Sequence, residues 1–185
     1  MSQPQVFITE GLSKGSNGTV SFQNLQGFKI PFYTIQPSPD KKSNIYITRA
    51  SPDASPVGTI QFHSLSSKIE LVLPYETVSM RHDALTGTKH NFTSPTARGD
   101  KLSWKEDSTF GHGVKLVSPD GQLLSRFRRT DKEAGTGSIE VFIPADGPLL
   151  DLILLSGIAA AEYRRRSNKE LETVGDVLGQ IVGAS

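Results

Sequence analysis

Short segments in which apolar and polar residues alternate make up most of the chain. In one of them, Ile69, Leu71 and Leu73 alternate with Lys68, Glu70 and Val72. A period of two places successive side chains on opposite faces of a strand, one face buried and one wet. The alternating segments lie at residues 19–22, 30–35, 45–47, 59–62, 68–73, 78–81, 101–105, 114–117, 123–128 and 138–143.

Turn-forming residues separate these segments. Ser118-Pro119-Asp120-Gly121 is the clearest case, because proline presets φ and glycine accepts a positive φ. About ten or eleven short strands with such turns between them are typical of a sandwich or a barrel. A sheet that closes on itself also has no exposed edges.

A different pattern runs from Pro148 to Arg166. Within Leu149–Tyr163 the only charged residues are Asp151 and Glu162, which fall on nearly the same strip of a helical wheel. A helix that is apolar on almost all sides must be surrounded by protein or by lipid. The run is shorter than the about 20 residues of a membrane span, which favours protein and predicts no transmembrane span. The alternative to an enclosed helix is an ordinary core helix lying on one open sheet.

The residues at both ends of this run agree with a helix. Asp146-Gly147-Pro148 supplies a cap and a first-turn proline, and Arg164–Arg166 places positive charge where the helix dipole favours it. Residues 168–182 keep apolar side chains at helical spacing but include two glycines. This last segment is predicted to be either a marginal second helix docked outside or a frayed tail.

The resulting fold class is mainly β: an antiparallel closed β-barrel of about 10–12 strands around a central hydrophobic C-terminal α-helix. Residues 1–27, rich in Ser, Gln, Gly and Asn, are predicted to be loose, with one short strand near Thr19–Phe22. The barrel and its helix take residues 28–166, and residues 167–185 form the tail or marginal helix.

Composition narrows the possible functions. The chain has 185 residues, a net charge of +1 and no cysteine. The balanced charge predicts no nucleic-acid partner, and the missing thiols exclude disulfides, thiol catalysis and cysteine-bound zinc. The first residues have neither a basic region nor an apolar one, so no secretory signal is expected. We therefore expect an intracellular location, in the cytoplasm or peripheral at a membrane.

The order of elements resembles the tubby C-terminal superfamily, which takes in the tubby proteins, the plant LURP-one-related proteins and the phospholipid scramblases. The residues that carry the resemblance are Leu116–Gly121, Leu124–Phe127, the final strand Ile139–Ile143 and the helix Leu149–Arg166. The sequence is most similar to the LURP-one-like members, which include fungal proteins of unknown function. The resemblance implies a barrel of about twelve strands wound around a hydrophobic helix.

A basic segment is the main candidate binding site. It comprises Arg126, Arg128, Arg129 and Lys132. If Phe127 points into the core, Arg126 and Arg128 share the outer face at a spacing of roughly 7 Å. Two guanidinium groups at that spacing suit one phosphate or two adjacent phosphates. The alternative is a solvated strand face.

Arg164, Arg165 and Arg166 form a secondary basic patch that suits an anionic membrane surface. Its alternative is simple helix-end electrostatics. The four histidines, His63, His82, His90 and His112, lack the H-x-H and H-x-x-x-H spacings of metal sites, so no metal site is predicted.

No catalytic motif, phosphate loop or cofactor motif is present, so no enzyme activity and no cofactor are expected. The function predicted is a non-enzymatic tubby-like domain that binds phosphoinositides or anionic membrane surfaces. A protein–protein interaction domain of the same fold, with a protein partner and no lipid ligand, is the first alternative. Scramblase-like lipid handling is the second.

Overall fold

The computed structural model describes residues 3–12, 17–38, 44–63, 66–83, 89–108, 113–131 and 135–182, apart from the side chains of Lys89 and of residues 168–182. The chain forms twelve strands followed by one long helix. The strands are β1 (Gln5–Glu10), β2 (Gly18–Gln23), β3 (Lys29–Pro37), β4 (Ile45–Arg49), β5 (Pro56–Phe62), β6 (Lys68–Val72), β7 (Thr77–His82), β8 (Lys89–Thr93), β9 (Lys101–Asp107), β10 (Gly113–Val117), β11 (Leu123–Asp131) and β12 (Thr136–Val141). Helix α1 is Gly147–Val182, and Pro95–Ala97 forms one 3₁₀ turn.

The twelve strands form a closed antiparallel barrel, as predicted. Each strand pairs with its neighbours in the chain, and β12 pairs with β1 to complete the ring. The closing register places Gln5 opposite Val141 and Phe7 opposite Ile139. The turn predicted at Ser118–Gly121 joins β10 to β11, with Gly121 at φ 88°. Closure leaves no strand edge of the ring unpaired.

Helix α1 runs through the interior of the barrel. The ten consecutive residues from Asp151 to Ala160 are all buried, so every face of the helix is covered at this level. Ile153, Leu154 and Ile158 are no more than 1% exposed. Close packing depends on a small residue, because a Cβ built on Gly157 would lie 3.1 Å from the ring of Trp104. The prediction of an enclosed helix is confirmed.

The helix is longer than the sequence pattern predicted. It begins at Gly147, one residue before the predicted proline, and continues as one element to Val182. The prediction that Arg164–Arg166 ends the helix is therefore wrong. Residues 168–182 are helical, as one of the two alternatives expected, but they continue α1 and do not form a separate second helix. A helix already held inside the barrel avoids the cost of nucleation, so further turns add to it despite two glycines.

The N-terminal segment is part of the barrel. The prediction that residues 1–27 are loose is wrong for Gln5–Glu10, which forms β1, whereas the strand expected near Thr19–Phe22 is confirmed as β2. Phe7 is 1% exposed and packs against Phe22, with ring centroids 5.5 Å apart. This segment, whose apolar residues are consecutive rather than alternating, forms a strand because β12 and β2 supply hydrogen-bond partners on both sides.

Helix α1 does not have a stretch both long and apolar enough to cross a membrane, nor does any other helix in the described part of the chain.

Candidate functional site

The two central arginines of the basic segment lie on the outer face of β11. Phe127 between them is buried, so strand alternation turns Arg126 and Arg128 outward. Nε of Arg126 lies 2.6 Å from Oδ2 of Asp107, a carboxylate on β9 that is fully buried. Nη2 of Arg128 lies 3.3 Å from Oε2 of Glu140 on β12. Both arginines therefore already balance carboxylates, Arg126 across β10 on β9 and Arg128 on the adjacent β12.

Arg129, the third described member of the basic segment, is not brought to this face. Arg129 is half-buried, and burial, followed by the nearby Arg165 charge, holds its pKa below the usual range. This places Arg129 beside the helix rather than beside Arg126 and Arg128. Lys132 lies outside the described residues. The three arginines of the segment are thus divided between two places on the barrel.

The three helix arginines are also engaged by protein groups. Arg165 donates to both oxygens of Glu162 at 2.6 Å, and Nε of Arg166 donates to Oε1 at 2.8 Å. Burial alone would raise the pKa of Glu162, but the hydrogen bonds from the two arginines outweigh it and lower that pKa. Arg164 donates to the carbonyl of Gly113 at 2.9 Å and pairs with Glu106.

The pairing register aligns three cations on the outer face. Lys115 on β10 lies opposite Arg126 on β11 and opposite Lys105 on β9. Their neighbours Leu116 and Trp104 are at most 1% exposed in the core, so the lysine side chains point outward. Side chains directly opposite have Cβ atoms about 4.5–5.5 Å apart. We call Lys105, Lys115 and Arg126 the outer cation row.

The two lysines of this row differ from other lysines on the barrel. The side chains of Lys105 and Lys115 make no ion pair or hydrogen bond with a described residue. Lys29, in contrast, pairs with Glu10, and Nζ of Lys68 lies 2.6 Å from a Glu70 carboxylate oxygen. Like charges directly opposite each other are destabilising, and a bound anion relieves that repulsion. Sequence reasoning missed this row because only the strand register shows which lysines are neighbours.

A second surface stands out for its apolar side chains. The hairpin between β2 and β3 exposes Leu25 by 88%, Phe28 by 68% and Ile30 by 51%. Its tip has a defined conformation, because Oδ1 of Asn24 accepts a hydrogen bond at 2.9 Å from the backbone nitrogen of Phe28. Large apolar side chains grouped on an ordered surface element mark interaction sites.

Comparison with known proteins agrees with this architecture. No curated protein matches the sequence. The fold is similar to the X-ray structure of a protein from Arabidopsis thaliana, AT5G01750, with a TM-score of 0.56 and 10% sequence identity, over 89% of this chain and 92% of that one. Residues 16–167 match DUF6593, described as a family of unknown function. Since this match spans most of the sequence, the chain belongs to the DUF6593 family.

Proposed function

We propose that this protein is a non-enzymatic, tubby-like domain that binds anionic membrane surfaces and recognises phosphoinositide headgroups. The observation that carries the proposal is the outer cation row, in which Lys105 and Lys115 lie opposite each other without an acidic partner among the described residues. The closed barrel around a central helix supports the tubby-like assignment, since that superfamily has this architecture.

The two lysines contribute most of the available charge. Arg126 is only 17% exposed and is held by Asp107, whereas Lys105 and Lys115 keep their charge for a ligand. Lysine binds phosphate as a point charge and tolerates several headgroup orientations. Lys101, exposed at the start of β9, extends the positive face by roughly 13 Å along the strand. A headgroup with several phosphates matches such a row better than a single phosphate does.

The proposal is tested by sedimentation with phosphatidylcholine liposomes that contain or lack a phosphoinositide. Each basic residue near an anionic surface contributes about 1 kcal/mol. Replacing both lysines, Lys105→Gln with Lys115→Gln, is therefore expected to weaken binding by more than tenfold, since 1.4 kcal/mol corresponds to a factor of ten. Binding is also expected to fade at high salt, which screens surface charges.

The matched control is Lys29→Gln with Lys68→Gln. It removes the same charge from two lysines that pair with Glu10 and Glu70, and it is expected to retain most of the binding. Wild-type protein that ignores phosphoinositide liposomes at low salt would refute the lipid proposal. Equal losses in the two double variants would show that net charge, rather than the outer cation row, determines binding.

Arg126→Gln with Arg128→Gln is a less informative pair. Both residues are in contact with carboxylates, and Asp107 is fully buried. A buried carboxylate that loses its cation is strongly destabilising. A loss of binding in that variant would therefore combine loss of the ligand site with loss of folding.

Protein–protein interaction is a second candidate function, favoured by the β2–β3 hairpin. Its apolar tip includes Leu25 and Phe28. The described loops at the same end of the barrel carry four exposed aspartates and one exposed arginine: Asp53, Asp100, Asp120, Asp146 and Arg98. By charge complementarity, the expected partner is a protein with a groove that is apolar at its centre and flanked by lysine or arginine.

Selection of a random peptide display library on the purified protein tests this second candidate. Wild type is expected to enrich peptides that combine aromatic or aliphatic residues with Lys or Arg. Leu25→Ser with Phe28→Ser is expected to lose that enrichment without unfolding, because both side chains are exposed. Enrichment that is the same on the variant would exclude the hairpin as the binding element.

A further inference from the structure

We propose that His82 and His90 form a binding site for a divalent transition-metal ion, with Tyr163 beside it as a third donor. The two histidines lie directly opposite each other on β7 and β8. Their ring centroids are 5.0 Å apart, and the ring of Tyr163 on α1 lies 5.4 Å from His82 and 4.7 Å from His90. Three ring side chains, each of which carries a possible metal donor atom, therefore pack together from two strands and the central helix.

An orphaned buried atom points to a ligand at this place. His90 is 6% exposed, and its Nε2 makes no hydrogen bond with a described residue. A buried polar atom without a partner costs stability, and an ion is one of the groups that satisfies such an atom. Simple aromatic packing explains the ring contacts but leaves this nitrogen unexplained.

The spacing of the two rings agrees with a shared ion. A zinc–nitrogen bond is about 2.0–2.1 Å long, so two imidazoles bound to one tetrahedral ion have ring centroids about 5 Å apart. Imidazole ligands suit Zn²⁺, Cu²⁺ and Ni²⁺ rather than Mg²⁺ or Ca²⁺. The chain has no cysteine, so a site of nitrogen and oxygen donors is the only kind of zinc site open to it.

The test is titration of the purified, chelator-treated protein with Zn²⁺, Ni²⁺ or Cu²⁺ alone, followed by calorimetry and by the melting temperature. Saturable binding of one ion per chain and a higher melting temperature are expected. Losing a ligand is expected to weaken binding by at least about 100-fold, since losing only an outer-shell partner costs about 10–100-fold. His90→Asn and His82→Asn are each expected to show that loss.

His63→Asn is the matched control, because this histidine lies 2.8 Å from Glu70 and away from the pair. It is expected to bind the metal as wild type does. His82 is only half-buried, so His82→Asn is expected to fold. This variant therefore tests the metal site even if His90→Asn fails to fold. Absence of saturable binding to wild type, or an equal loss in the His63 variant, would overturn the proposal. With Co²⁺ as a spectroscopic probe, Tyr163→Phe is expected to change the absorption spectrum, as a third ligand requires.

Discussion

The two ends of the enclosed part of α1 each bury a carboxylate, but they hold it in different ways. At the first end, Asp151 accepts hydrogen bonds from Arg49 of β4 at 2.8 Å on both oxygens, and a third from the hydroxyl of Tyr33 of β3. These contacts join the helix to strands more than a hundred residues away. At the second end, Glu162 is held by Arg165 and Arg166, within one turn of the same helix.

This difference separates two uses of a buried charge. The contacts of Asp151 exist only when the barrel is closed around the helix, so they stabilise the fold and fix the position of the helix along the barrel. Burial, followed by the charge of Asp151, raises the pKa of Tyr33 well above its usual range and keeps its hydroxyl a donor. The contacts of Glu162 are local, and any helical segment of these residues forms them.

The largest effect on stability is expected from a charged substitution in the buried middle of the helix, between these two ends. Leu154 is 0% exposed, and Leu154→Asp places a charge where water is absent, at a cost of several kcal/mol. That is comparable to the whole stability of a typical domain, about 5–15 kcal/mol. We expect insoluble or unfolded protein, judged by circular dichroism. The control Val72→Asp, at a 36% exposed position, is expected to fold, and a Leu154→Asp protein that melts like wild type would contradict the enclosed helix.

Asp151→Asn tests the end that is tied to the barrel wall. Breaking a buried ion pair costs about 3–5 kcal/mol, and because the Arg49 side chain is 32% exposed to water we expect about 2–3 kcal/mol. The loss is measured by urea unfolding. Asp146→Asn, at an exposed position just before the helix, is expected to cost less than about 0.5 kcal/mol. Equal losses in the two variants would show that the Asp151 contacts do not stabilise the fold.

Low pH is expected to destabilise the fold through His90, whose ring packs against Tyr163 at the second end of the enclosed helix. Unfolded histidine binds a proton below about pH 6.5, whereas His90 in the folded protein stays neutral down to about pH 4. The unfolded state thus binds more protons in this window, and stability falls as the pH drops from 6.5 to 4. The loss approaches about 3 kcal/mol, at 1.36 kcal/mol for each pKa unit.

Urea unfolding at several pH values, with a chelator present, measures this loss. His90→Gln is expected to have a shallower dependence on pH between 4 and 6.5 than wild type, whereas His63→Gln is expected to follow wild type. Identical slopes for His90→Gln and wild type would show that His90 is not the group responsible.

Hydrophobic patterning was sufficient to predict the barrel and its helix because both depend on side chains facing a core. It failed at β1, where the apolar residues Val6, Phe7 and Ile8 are consecutive rather than alternating, and at β8, where Phe92 is the one apolar residue. It also failed at both sites proposed above, because each depends on register. Lys105 opposite Lys115, and His82 opposite His90, are pairs that strand pairing creates. The spacing of residues along one segment does not reveal such pairs. The sequence therefore predicted a binding site at the basic segment around Arg126 and did not predict the outer cation row.

The smallest effect is expected from Glu162→Gln, which removes the local ion pairs at the second end of the enclosed helix. The two pairs that this substitution removes, with Arg165 and Arg166, have the i,i+3 and i,i+4 spacings of local helix contacts. Such pairs contribute about 0.2–0.5 kcal/mol each, so we expect a loss of about 1 kcal/mol after allowing for burial. The glutamine oxygen still accepts one hydrogen bond, and the arginines lie where the helix leaves the buried section. Urea unfolding beside Asp151→Asn measures the difference. A loss as large as that of Asp151→Asn would mean that Glu162 also holds the helix in the barrel, by balancing Arg129 on β11.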